Sequence, residues 1–311
     1  MSAQLSKNHP FLDQPFNYTE FLTALDKCKL TAASGPDKIE YKIIKSLSDK
    51  CKLLLLDILN DLYQSHTLPE AWKKVHMFLI PKQSGNGLRP ITLFSCLCKL
   101  MERLLNQRLL WWTEYNGILP QFQSGFRKGR SCSDNIETLI TTVDIGYRTL
   151  KYTAAVFLDI TSAFDNLHTH LLLQQLYQLQ LTGNLTHFIY NWMQEKQVQF
   201  IGSNNLETNH SNYNIHKGLP QGGVLSLLLF NLYVYNIMAN LPSEIKVTQY
   251  ADDIALIAQD SNPEAVKTSL TKAVQTIQAN LQEIGLELAT EKTELLWFGT
   301  PHARQKTHPY T

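Results

Sequence analysis

The chain has 311 residues, of which 44% are hydrophobic and 18% are charged, and its formal net charge at pH 7 is +1. This composition is typical of a globular protein that is long enough for one large domain or two ordinary ones. A net charge so close to zero excludes a global basic field. Any nucleic-acid partner therefore has to be held by a local groove.

The cysteine pattern and the hydropathy indicate a soluble intracellular protein, with nucleus and cytoplasm left open. The five cysteines are odd in number and irregularly spaced, and no Cys–His cluster has zinc-ligand spacing, so we expect free thiols in a reducing compartment. The N-terminus lacks a signal-peptide pattern. The most apolar stretch, residues 224–238, is interrupted by Ser226, Asn231 and Asn236 and is too short to span a membrane.

The first half of the chain is mainly helical in pattern. Helices are predicted over residues 18–29 and 38–65, separated by a turn at 31–40. The apolar run 75–82 predicts a strand, and the glycine-rich segment 83–88 predicts a loop. A further helix follows from the spacing of apolar residues at 97, 100, 101, 104, 105 and 109.

The second half mixes strands with helices. It predicts, in order, a strand over 154–160, a helix over about 165–180, a polar hairpin over 197–216, a helix over 224–238, and two short strands over 247–251 and 254–258. Asn262 as N-cap, Pro263 at the first helical position and Gly285 at the end delimit a final helix. Sheets mixed with helices in this way indicate an α+β fold.

Asp252 and Asp253 stand side by side in the apolar run QYADDIALIA. A plain hairpin turn would accommodate them, since Asp favours turns, but the flanks are too apolar for an exposed hairpin tip. Asp159 ends a second apolar strand, VFLDI, so three carboxylates converge if these strands are neighbours. Charges that close repel one another unless a divalent cation neutralises them, and this donor set suits Mg²⁺ or Mn²⁺. Two such ions, about 3.5–4 Å apart, can clamp both sides of an in-line phosphoryl displacement.

The motif Tyr-Ala-Asp-Asp alone has little specificity. Eight other runs accompany it, however, and all nine occur in the same order as in one known enzyme family. The nine runs are SGPDKI, LPEAWK, LIPK, LRPITLFSCLCKLMERLL, QFQSGFRKGRSCSDNI, FLDITSAFDNL, KGLPQGGVLS, QYADDIALIA and GLELATEKTELLWFG. Together they cover almost the whole chain from residue 34 to residue 299. On these runs the chain resembles the reverse transcriptases, most closely those of non-LTR (LINE-type) retrotransposons.

The resemblance implies a right-hand polymerase with an antiparallel palm sheet packed on helices, fingers, and little or no thumb. It suggests a loose segment over residues 1–16, a reverse transcriptase domain over 17–300 and a tail over 301–311. Within the domain, the expected palm covers about 153–166 and 217–299, and the expected fingers cover about 17–152 and 167–216. The endonuclease and thumb modules of the family are expected to be absent from this chain.

The resemblance also assigns the acidic residues. Asp159 would be the first metal ligand, assisted by the carbonyl of Ile160, and Asp252 the second ligand, with Asp253 beside it. The implied cofactor is a pair of Mg²⁺ ions, with Mn²⁺ as the alternative. Lys292, in TEKTE, resembles the lysine that protonates the leaving pyrophosphate, although a solvated surface lysine would have the same pattern.

Further residues resemble the nucleotide-binding positions of the family. Phe164 would exclude a 2′-hydroxyl by its bulk, or else be a core aromatic. Gln221 and Gly222, in LPQGG, would touch the incoming nucleotide, and the same segment would serve as a helix-entry turn. Lys82 and Arg89 resemble the finger residues that grip the triphosphate, for which a guanidinium is well suited.

A basic patch, Arg127, Lys128 and Arg130, follows Phe126 and is interpreted either as a template contact or as a solvated loop. The chain departs from the family pattern in a short loop between Lys82 and Arg89. Leu227 is a second departure, because it replaces the usual proline.

The implied function is RNA-directed DNA polymerisation: transfer of deoxynucleotides to a primer 3′-hydroxyl, with an RNA template, a DNA primer and dNTPs as partners. A catalytically silent nucleic-acid-binding remnant is the first alternative. A group II intron-type reverse transcriptase is the second, although LRPITLFSCLCKLMERLL argues for the LINE type. An RNA-dependent RNA polymerase is disfavoured by Phe164.

Overall fold

The computed structural model of the protein describes residues 9–81, 87–201, 213–215 and 217–299. The helices are α1 (Tyr18–Asp26), α2 (Tyr41–Ser46), α3 (Asp49–Gln64), α4 (Glu70–Lys73), α5 (Cys96–Tyr115), α6 (Cys132–Arg148), α7 (Thr169–Gln178), α8 (Asn184–Trp192), α9 (Ser226–Tyr233) and α10 (Pro263–Glu283). The strands are β1 (Lys74–Pro81), β2 (Leu88–Leu93), β3 (Tyr152–Leu158), β4 (Lys196–Phe200), β5 (Tyr213–Ile215), β6 (Lys246–Tyr250), β7 (Asp253–Asp260) and β8 (Glu294–Phe298). The fold is therefore mixed α+β.

The chain forms two compact units, each with its own four-stranded sheet. The first unit contains the chain up to Asn116 together with Leu167–Leu229, and the second contains Gly117–Asn166 and the chain from Phe230 onward. These borders differ from the expected palm and fingers at two places. Residues 117–152 belong to the second unit, because α6 packs on its sheet, and residues 217–229 belong to the first.

The sheet of the first unit has the strand order β2-β1-β4-β5. Strand β1 pairs antiparallel with β2 and parallel with β4. The antiparallel pairing of β4 with β5, in which Lys196 lies opposite Ile215, confirms the predicted hairpin. The apolar spacing that predicted α5 becomes the core of this unit, where the leucines at 100, 104, 105 and 109 are almost fully buried. The predicted loop 83–88 lies mainly outside the described residues.

Part of the expected loose N-terminal segment is instead anchored in the first unit. Leu12 and Phe16 are buried. The Tyr63 hydroxyl donates to the Leu12 carbonyl at 3.0 Å, and the Arg108 guanidinium donates to the carbonyls of Leu12 at 3.2 Å and Pro15 at 2.9 Å. The segment is anchored because its carbonyls accept the hydrogen bonds of the buried Arg108 guanidinium. The polarity of the segment's own sequence does not reveal this contact.

Two predicted helices are shorter than expected. The segment 38–65 breaks into α2 and α3 because Leu47 is extended and Ser48 begins a new helix, accepting from the Cys51 N–H at 3.3 Å. Helix α9 ends at Tyr233, and the chain then tightens into turns, with the Ile237 N–H donating to the Val234 carbonyl at 3.3 Å.

The sheet of the second unit is fully antiparallel, with the strand order β6-β7-β3-β8. Its central strands β3 and β7 are buried on both faces, because α6 and α10 pack on the sheet. Asn262 caps α10 as predicted, accepting from the Glu264 N–H at 3.0 Å. Gly285 follows its end with a φ of 72°, as a helix-ending glycine should.

All five cysteines are free thiols, as predicted. Within the described ranges, none of the helices is long and apolar enough to cross a membrane.

Candidate active site

The second unit brings Asp159 and Asp253 to the same end of two paired strands. Strand β3 pairs antiparallel with β7, and its last pair is Leu158 with Ile254. Continuing that register by one residue places Asp159 opposite Asp253. Asp252 lies in the two-residue turn between β6 and β7, which Tyr250 and Asp253 close. Strand register thus gathers the three aspartates that the sequence analysis singled out.

The electrostatics of this cluster are those of crowded carboxylates, of which Asp159 and Asp252 are half-buried and Asp253 is exposed. Burial raises the pKa of Asp252, and the negative charges of Asp253 and Asp159 raise it further. Burial also raises the pKa of Asp253, again with a contribution from Asp159, while Lys292 opposes the shift. Ionising the whole cluster is therefore unfavourable without a neutralising cation.

Lys292 supplies one positive charge to this cluster. It lies in a short 3₁₀ turn, Thr290–Lys292, and its Nζ is 2.5 Å from Oδ2 of Asp159. Its hydrogen bond to Asp159 raises the pKa of the Lys292 ammonium, followed by the charge of the same carboxylate. Lys292 therefore stays protonated at neutral pH. Three carboxylates against one ammonium leave the cluster negative overall when all are ionised.

The donor set fits a hard divalent cation in its chemistry, since carboxylate oxygens are the ligands that Mg²⁺ and Mn²⁺ prefer. Among the described residues, however, no group of three or more His, Cys, Asp or Glu side chains is arranged to hold a metal ion. The ammonium of Lys292, bonded to Asp159, is the cation that the structure shows at this carboxylate.

The residues after Asp159 are held by the chain around Leu288. The Asp159 carbonyl accepts from the Ala289 N–H at 2.8 Å, and Ile160 forms a β-bridge with Leu288. Phe164 is half-buried and stacks on Phe230, with ring centroids 4.6 Å apart. The ring is therefore both supported by the core and partly accessible to solvent, so the two interpretations of Phe164 remain compatible.

A groove of about 430 Å³ adjoins the acidic cluster. One wall comes from the start of α6, including Cys132 and Ile136, and another from the sheet, including Tyr250. Asp159, Asp253 and Lys292 also line it. The acidic cluster thus opens onto a cavity large enough for a small ligand or part of a larger one.

Three of the residues with expected nucleotide contacts, Arg89, Gln221 and Gly222, lie in the first unit, whereas Phe164 lies in the second. Arg89 is exposed on β2. Three residues further on, the Thr92 N–H donates to the Gln221 carbonyl at 2.7 Å. Gly222 has a φ of 127°, and a Cβ there would lie 2.3 Å from the Thr92 carbonyl oxygen, so only glycine fits. This contact fastens the LPQGG segment to the strand that carries Arg89. Lys82 lies outside the described residues.

Glu102 is a functional candidate that the sequence analysis missed. Its carboxylate is completely buried and accepts from the N–H groups of Val224 at 2.5 Å and Leu225 at 3.1 Å. These two N–H groups lie directly before α9, so Glu102 holds the chain where it enters the helix that follows LPQGG. The sequence contains a signal for the burial of Glu102, because this residue falls on the same helical face as Cys98 and Leu105.

The basic patch divides into one buried and two more accessible residues. Arg127 is buried, and its guanidinium donates to the carbonyls of Pro120 at 2.6 Å and Gln123 at 3.0 Å. Its charge is directed to the protein backbone, which differs from both interpretations of Arg127, the template contact and the solvated loop. Arg130 is half-buried and bonded to Gln121, whereas Lys128 is exposed.

Comparison with known proteins gives the family of this chain. The profile of the family described as reverse transcriptase (RNA-dependent DNA polymerase) matches residues 80–309. The chain belongs to this family.

Related proteins point to non-LTR elements. The chain is 27% identical over 299 residues to the probable RNA-directed DNA polymerase from transposon BS of Drosophila melanogaster, covering 90% of this chain and 32% of that protein. It is 25% identical over 305 residues to the RNA-directed DNA polymerase from mobile element jockey of the same species, covering 91% and 32%. The chain thus spans about a third of the length of these relatives.

Proposed function

We propose that this chain is the RNA-directed DNA polymerase of a LINE-type retrotransposon, transferring deoxynucleotides to a primer 3′-hydroxyl under the direction of an RNA template. The observation that carries the proposal is the register of β3 against β7, which brings Asp159 opposite Asp253 at the turn that contains Asp252. The family match and the names of the relatives support the same reaction class.

In the proposed reaction, the primer 3′-oxygen attacks the α-phosphorus of the dNTP, and the bond to the leaving pyrophosphate breaks. Asp159, Asp252 and Asp253 would hold the divalent cations, which would supply charge neutralisation and a lowered pKa for the attacking hydroxyl. Lys292, kept protonated beside Asp159, delivers a proton to the pyrophosphate as it leaves. For this, its ammonium has to exchange Asp159 for the phosphate when substrate binds.

The remaining roles concern the nucleotide. Arg89, exposed on β2, grips the triphosphate through its guanidinium. Gln221 and Gly222 contact the incoming nucleotide, and their attachment to β2 through Thr92 keeps them in register with Arg89. Phe164, stacked on Phe230, rejects a ribose 2′-hydroxyl by its bulk.

Primer extension on a poly(rA)·oligo(dT) template with Mg²⁺ or Mn²⁺ tests the proposal. The informative variant is Asp252→Asn, which keeps the shape of the side chain and removes its charge. We expect the wild type to incorporate dTTP and the variant to lose about a hundredfold to a thousandfold of the rate, the scale set by removing a preorganised electrostatic group. Asp144→Asn is the matched control, because Asp144 lies on α6 in the same unit and pairs with Arg148 at the surface.

The second candidate is a nucleic-acid-binding protein without catalysis. It is favoured by the ion pair of Lys292 with Asp159, which engages one of the three carboxylates. Template–primer binding by a folded wild type that incorporates no nucleotide with either metal would support it. Incorporation that Asp252→Asn abolishes would exclude it.

A further inference from the structure

The turn that carries the acidic pair contains a residue in an unfavourable conformation. Ala251 has a φ of 57°, in the left-handed region that glycine adopts freely and a residue with a Cβ does not. It occupies the first position of the two-residue turn between Tyr250 and Asp253. Such a conformation persists only where the surrounding structure enforces it.

The side chain of Gln123 bonds to the backbone of Ala251. Its Oε1 accepts from the Ala251 N–H at 3.0 Å and from the Gly125 N–H at 2.8 Å. Its Nε2 lies 3.4 Å from the Ala251 carbonyl oxygen, to which Gln249 also donates at 2.9 Å. Gln123 is almost completely buried, so water does not compete for these bonds.

The backbone around Gln123 is fastened to the same hairpin. The Gln249 N–H donates to the Phe122 carbonyl at 2.8 Å, and the Ser124 N–H donates to the Gln249 carbonyl at 2.8 Å. A Cβ at Gly125 would lie 2.4 Å from the Ala251 nitrogen, so the chain approaches the turn as closely as glycine allows. Residues 122–125 therefore form a brace along β6 that ends at the acidic turn.

We propose that Gln123 is a positioning residue that holds Ala251 in its left-handed conformation and thereby sets the position of Asp252. The inference rests on the polymerase function proposed above. Ala251 directly precedes Asp252, so a rotation of its backbone redirects the carboxylate. Gln123 does not touch the reacting atoms. It acts through the turn, because the oxygen of its side-chain amide accepts the hydrogen bond of the Ala251 N–H.

The test uses Gln123→Met in the full chain, because methionine keeps the length and volume of the side chain and removes all of its hydrogen bonds. We expect kcat for primer extension to fall by about 10-fold to 100-fold, the loss that accompanies a displacement of about an ångström at a reacting group. The KM for dNTP should change by less than about threefold, because Gln123 contacts the turn and not the groups proposed to bind the nucleotide. Gln278→Met, an exposed site on α10 of the same unit, is the control.

A rescue distinguishes positioning from general loss of structure. Adding Ala251→Gly to Gln123→Met should restore kcat by at least about threefold, because glycine adopts the left-handed conformation without enforcement. A non-specific folding defect would not be relieved by a more flexible turn. Thermal melting of each variant records any such defect separately.

Hydrogen exchange of the Ala251 N–H, measured by NMR, supplies a readout that needs no activity. Exchange at least about tenfold faster in Gln123→Met, together with the loss of kcat, would support the proposal. Wild-type kcat in folded Gln123→Met, or unchanged exchange at Ala251, would overturn it. If the wild type incorporates no nucleotide, the proposed function fails for this chain. The exchange rate alone then decides whether Gln123 holds the turn.

Discussion

The two sheets of the molecule carry different kinds of candidate residues and are buried differently. In the second unit, β3 and β7 are buried on both faces, and the aspartates lie at their ends. In the first unit, β1 becomes exposed toward its end and β2 begins exposed, where Arg89 lies. Groups that must hold fixed geometry stand on a buried scaffold, whereas groups that must reach a mobile substrate stand on an exposed one.

The units also differ in how their loops are fixed. The acidic turn follows directly from hairpin register, with added bonds from Gln123 and Gln249. The LPQGG segment has no hairpin to define it and depends on Thr92 and on the buried carboxylate of Glu102. We therefore expect the loss of a single polar group to lower the free energy of unfolding more in the first unit than in the second.

The largest effect is expected from Glu102→Ala. It leaves the N–H groups of Val224 and Leu225, directly before α9, without their buried acceptor, so the free energy of unfolding should fall by about 2–4 kcal/mol. Chemical denaturation measures this loss. Glu70→Ala, which removes an exposed carboxylate paired with Lys73 in the same unit, is the control and should change stability by less than about 0.5 kcal/mol. Equal losses from the two variants would contradict the role assigned to Glu102.

Phe164→Val should next show whether the aromatic stack serves selectivity. Because valine is smaller, incorporation of ribonucleotides relative to deoxynucleotides should rise by about 10-fold to 100-fold, as the clash with the 2′-hydroxyl is removed. Competing dTTP and UTP on one template gives the ratio. Phe230→Leu removes the ring on which Phe164 stacks, and the same nucleotide ratio measured for this variant tests whether that stacking supports selectivity. A stability loss without a change in selectivity for Phe164→Val would make Phe164 a core residue only.

A smaller effect concerns stability and pH in the acidic cluster. Folding raises the pKa of Asp252 above its unfolded value, so the folded state binds the proton more tightly. The stabilisation from this proton is complete below the unfolded pKa and is lost as pH rises through the folded pKa. Asp252→Asn should therefore raise the free energy of unfolding by up to about 1 kcal/mol at pH 7, and by less as pH falls toward 4. Melting curves across this range, without divalent metal, measure the difference, and a gain that grew on acidification would have the wrong sign.

The smallest effect separates two neighbours in the basic patch. Lys128→Ala should weaken template binding by about two- to threefold and reduce the salt slope by about one, as expected for one lost phosphate contact. Arg127→Ala should instead lower the melting temperature, because its guanidinium holds the carbonyls of Pro120 and Gln123. Fluorescence anisotropy at several salt concentrations, paired with melting, distinguishes them. A salt-slope change confined to Arg127→Ala would reverse the assignment.

Local pattern predicted the elements that carry the aspartates and the caps of α10. It overestimated α9 and merged α2 with α3, because helical spacing continues across Leu47 although Ser48 starts a new helix. It also interpreted Arg127 either as a template contact or as part of a solvated loop. A buried guanidinium and an exposed one have the same sequence signature, and only the carbonyls around Arg127 distinguish them.

The sequence by itself determined the family, the mixed α+β class and the identity of the acidic residues, because short motifs and periodic apolar runs are local properties of the chain. Only the tertiary structure decided that Asp159 lies opposite Asp253, that Lys292 bonds to Asp159, and that Gln123 and Glu102 hold the two loops. These residues lie more than ninety positions apart along the chain. Their energy comes from buried polar groups that must find partners, and which partner each finds depends on how the strands and helices pack.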